Sequence, residues 1–120
     1  MDDLTQWLSA QLDEDERAAR AATLTEGMTG SLVDFLKHEA MQVDVAPSEA
    51  HYARHTPVRV LREIDAKRQI VREWEDAKRA AESDPSDASA RVALLAFGIT
   101  LRLHAAVYDA RPGYREEWRP

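Results

Sequence analysis

A chain of 120 residues has the size of one ordinary domain, large enough to bury a core without staples. It contains no cysteine, which excludes disulfides, thiolate zinc sites and cysteine nucleophiles and fits a reducing cytosol. The formal net charge of −6 disfavours general nucleic-acid binding, because phosphate contacts require a basic surface.

The start, MDDLTQW, has two acids and no basic cluster, so it does not read as a secretory signal. Helical spacing of Leu4, Leu8, Leu12 and Ala19, flanked by Trp7, predicts a first helix from about Asp3 to Ala22, with Asp2 or Asp3 at its cap. Continuing that stripe past Leu12 lands on Asp15 or Glu16. The run Asp13-Glu14-Asp15-Glu16 therefore sets at least one carboxylate at the edge of the apolar face. TLTEGMTG is a break, and a short helix is expected from Ser31 to Met41 with Leu32, Phe35 and Leu36 on its apolar side.

After the connector VDVAP, a helical turn is expected to carry His51 and His55. Thr56-Pro57 is a strong start signal: threonine caps, and proline at the first helical position has its φ already set. The next helix should run from Pro57 to about Ala81, burying Val60, Leu61, Ile64, Val71, Trp74 and Ala81. The last helix should start at an Asp84 cap with Pro85 and run to about Asp109. It is apolar nearly all round, which predicts a helix surrounded by others. Its stretch Val92 to Tyr108 holds Arg102 and His104 and is short for a membrane span, so a buried helix of a soluble protein is expected. The tail ARPGYREEWRP should end the chain as a turn and a short aromatic segment.

The expected fold is thus all-α, a small helical bundle of three long helices plus one or two short ones. It forms a single domain over residues 1–120 with a C-terminal tail at 110–120. Charge is uneven: residues 1–50 hold eleven acids against three bases, and the remainder eleven against thirteen. Oppositely charged helix faces lying side by side account for this.

Three sets of residues raise chemistry. His51 and His55 at i, i+4 suit one divalent metal, such as zinc or manganese, with Glu49, Asp15, Glu16 or His104 as a further ligand. HYARH lacks the glutamate of a HExxH base, and two histidines more often bond backbone or carboxylates. An acid at the apolar edge could have a raised pKa, but pairing with Arg62 or Arg68 is the simpler expectation. Tyr114 and Trp118 at i, i+4 could form an exposed contact for a partner, or dock back and tether the terminus. Arg59, Arg62, Lys67, Arg68 and Arg72 could make a phosphate stripe, diluted by Glu63 and Asp65. No P-loop lysine and no G-x-S-x-G is present.

LDEDERAARAAT, HYARHTPVRVLREIDAKRQIV and YDARPGYREEWRP, in this order, resemble a family of small uncharacterised proteins from actinobacteria and their bacteriophages. The resemblance covers roughly the first twenty residues, residues 51–71 and the last dozen, and includes both histidines and the acid run. Residues 23–50 depart from it, because a proline- and glycine-rich stretch that reads as strands is usual there. The resemblance implies a source and no activity.

The expected function is a non-catalytic, cytoplasmic accessory protein acting through protein contacts, without cofactor, membrane or general nucleic-acid binding. A homodimer is one way for a short chain to cover so apolar a last helix; the Pro57–Ala81 helix and the tail are the other. The alternative is a metal-dependent hydrolase using His51, His55 and a first-helix carboxylate, with metal-activated water as nucleophile.

Overall fold

The computed structural model describes residues 2–24, 51 and 55–120. The expected Ser31–Met41 helix lies outside the described residues. Among the described residues are three long helices, α1 (Asp2–Leu24), α2 (Pro57–Ser83) and α3 (Ala88–Ala106), followed by a 3-10 turn at Glu116–Trp118. No strand occurs among the described residues, and the fold is a small all-α bundle.

The chain forms two compact units, Met1–Glu14 with Asp65–Pro120, and Asp15–Ile64. In the first, Leu4, Leu8 and Leu12 of α1 are fully buried, as their i, i+4 spacing requires. Each contributes about 1.5–3 kcal/mol by leaving water. Val71, Trp74 and Ala77 of α2, Ala90, Leu101 and Ala105 of α3, and Tyr108 and Trp118 complete the buried hydrophobic set.

Polar contacts fix the edges of this unit. Lys78 Nζ donates to both carboxylate oxygens of Asp2 at 2.6 and 2.7 Å, joining α2 to the start of α1. That bond holds the Asp2 carboxyl below its usual range and raises Lys78. Arg68 reaches the acid run through Asp13, at 2.6 Å. Arg115 of the tail pairs with Asp3 at 3.0 Å. The acids Asp2 and Asp3 also suit the positive end of α1.

In the second unit, Ala19 and Ile64 are buried, and Arg20 pairs with Glu16 and Arg59 with Glu63 one helical turn apart. α2 starts where Thr56-Pro57 implies: Thr56 Oγ1 accepts from the Arg59 amide at 3.3 Å.

Two expectations are corrected by α3. Its cap is Asp87, whose side chain accepts from the Ala90 amide at 3.0 Å, and it does not begin at Asp84-Pro85. The Asp84 carboxylate is already taken by the Ser86 amide and hydroxyl, at 3.0 and 2.6 Å, which closes a turn instead. Nor is α3 surrounded by the described residues. Its buried residues, Ala90, Gly98, Leu101 and Ala105, lie on one side only.

Candidate interaction surface

The other side of α3 carries Val92, Leu95, Ile99, Leu103 and, at its C-cap, Val107. These five side chains are between 51% and 72% exposed. Steps of three and four residues put them on one line along the helix. Small residues, Ala90, Gly98 and Ala105, let the inner side sit close to the core, so the larger side chains are left facing out. α3 is long and apolar enough to cross a membrane by length and composition.

Beside this line runs a cleft of about 620 Å³ in the first unit. Trp74 and Ala81 of α2 form one wall, and Leu94, Leu95, Gly98 and Ile99 of α3 the other. Arg91 and Arg102 also line it; neither guanidinium has a hydrogen bond or ion pair with another described residue. Behind the stripe, His104 is half-buried. Burial first, then the charge of Lys67, hold its imidazole below the usual value.

The residues singled out in the sequence are placed as follows. His51 and His55 come together, with ring centroids 4.3 Å apart and the His55 amide bonded to the His51 carbonyl at 3.0 Å. Both are exposed. Among the described residues no group of three or more potential metal ligands gathers, so Asp15 and Glu16 do not join the pair there. Glu16 instead accepts from Arg20 at 2.8 Å.

Tyr114 and Trp118 pack on Trp7, with centroids 5.7 and 5.5 Å from it and 5.8 Å from each other. Trp118 is buried, so the tail tethers itself to α1. The Trp7 indole donates to the Pro112 carbonyl at 3.0 Å. Nothing local in the sequence marks Trp7 beyond its flanking position, because its partners lie more than a hundred positions away. The exposed line of α3 is written in the i, i+3, i+4 spacing of Val92, Leu95, Ile99 and Leu103, but is submerged in a helix apolar on every side.

No curated protein and no solved structure matches the chain. A family profile described as "Family of unknown function (DUF6221)" matches residues 1–120. The match includes residues 23–50, where the resemblance drawn from the three sequence blocks lapsed. This chain belongs to that family of unknown function.

Proposed function

We propose that the protein is a non-catalytic interaction protein that binds protein through the outer face of α3. The observation that carries this reading is the line of five apolar side chains, all more than half exposed. A contiguous apolar patch on this scale is often a functional surface. In its finer form, the reading is of a cytoplasmic accessory protein of an actinobacterium or its phage, as the resemblance of the three blocks implies.

The test is the native size of the chain in a lysate of the cells that make it. Wild type is expected in an assembly larger than one chain, and Ile99→Arg to elute as the single chain with its helix content unchanged. Identical elution of the two would count against the reading.

A second reading, a metal-dependent hydrolase, draws on the closeness of the His51 and His55 rings. It requires a stoichiometric metal in untagged protein, lost in both His51→Ala and His55→Ala. Protein dialysed free of zinc and manganese would end it.

A further inference from the structure

We propose that the occupant of this face is a second copy of the chain, with the two α3 helices antiparallel about a two-fold axis at Ile99. The inference rests on the reading of the outer face as a protein-binding surface.

The order of exposed large apolar residues along α3 and its C-cap is valine, leucine, isoleucine, leucine, valine, and it reads the same in both directions. From Ile99 the leucines stand four residues away on either side, and the valines seven and eight. An antiparallel copy therefore sets Ile99 against Ile99. It sets Leu95 near Leu103 of the partner subunit, and Val92 near Val107 of the partner subunit. A two-fold interface requires a self-complementary surface, and this stripe has one.

At their exposures the five side chains present roughly 500 Å² per chain, the apolar centre of an interface smaller than the standard of about 800 Å² per partner.

Charge agrees with the antiparallel sense. Arg91 stands in the first turn of α3, four residues after the Asp87 cap, whose carboxylate already faces the positive end of the helix dipole. An antiparallel copy brings the partner's carbonyl-rich C-terminal end to it, with Asp109 of the partner subunit just beyond. A parallel copy would instead place the two Arg91 side chains together. A bilayer, the other claimant to an apolar helix, has no use for this palindrome, and Arg91 and Arg102 on the flank of the stripe oppose burial in hydrocarbon.

The chain has no cysteine, so single cysteines give a clean map. These positions are more than half exposed, and the helix content of each variant is compared with the wild type. Under mild oxidation, Ile99→Cys is expected to cross-link with itself. Leu95→Cys and Leu103→Cys are each expected to stay uncoupled alone and to couple when mixed. Self-coupling of Leu95→Cys would mean parallel helices and overturn the proposal. So would a single-chain sedimentation mass at micromolar concentration with no Ile99→Cys product, or dissociation of the wild type onto anionic phospholipid vesicles. If the purified chain is single but Ile99→Arg still abolishes the larger assembly in the lysate, the interaction reading stands and only the second copy is lost.

Discussion

Gly113 turns at φ +90° directly against the indole of Trp7, and a Cβ built there would lie 2.7 Å from Trp7 Nε1. The same indole donates to Pro112 O. Pro112-Gly113 is therefore a clasp: proline presents the carbonyl, and glycine both reverses the chain and leaves room for the ring. Gly113→Ala should cost roughly 1–3 kcal/mol for the backbone alone, with the contact adding to it. The urea midpoint measures this, and an unchanged midpoint would contradict the clasp.

Tyr114 makes the opposite prediction. Its hydroxyl oxygen is buried and has no hydrogen-bond partner among the described residues. Tyr114→Phe keeps the ring on Trp7 and removes a desolvated group, so stability should hold or rise by about 1 kcal/mol. A loss of that size in thermal or urea unfolding would show that the hydroxyl is bonded in solution.

Asp84 and Asp87 separate a turn from a cap. Asp87→Ala frees the Ala90 amide at the start of α3 and should cost about 0.5–2 kcal/mol. Asp84→Ala opens only an exposed turn and should cost less. The two variants, compared by urea unfolding, should rank in that order; the reverse ranking would place the cap at Asp84.

These aspartates also show what the sequence made legible. The Thr56-Pro57 start and the Leu4, Leu8, Leu12 stripe are local signals, and both appear in the structure as written. In DPSD either aspartate can cap, and the choice depends on which carboxylate Ser86 captures, a matter of geometry and not of residue type. For α3, composition reports how much apolar surface exists but not how many neighbours cover it. The Trp7 clasp joins residues 105 apart. No local pattern announces such a contact, although both ends stood out as an aromatic and a Pro-Gly turn. The i, i+4 spacing alone was enough to bring His51 and His55 together.

His104 supplies a pH dependence. Burial beside Lys67 lowers its pKa in the folded chain, so the unfolded chain takes up the proton first as pH falls. The contribution is fully present above about pH 6.5, the ordinary imidazole value, and is lost as pH drops through the lower folded value. His104→Gln should flatten the stability profile in that window. The acid limb, where Asp2 and Glu116 lose their ion pairs, should remain. An unaltered profile between pH 5 and 7 would show that His104 is as well solvated folded as unfolded.

The second copy on the outer face of α3 is tested most directly by sedimentation equilibrium of the wild type beside Ile99→Arg, a substitution at the half-exposed centre of the stripe. Two like charges facing one another on the axis would separate the copies. The account predicts a two-chain mass for the wild type, a one-chain mass for Ile99→Arg, and equal helix content in both. The same mass for both proteins, whether one chain or two, would contradict it.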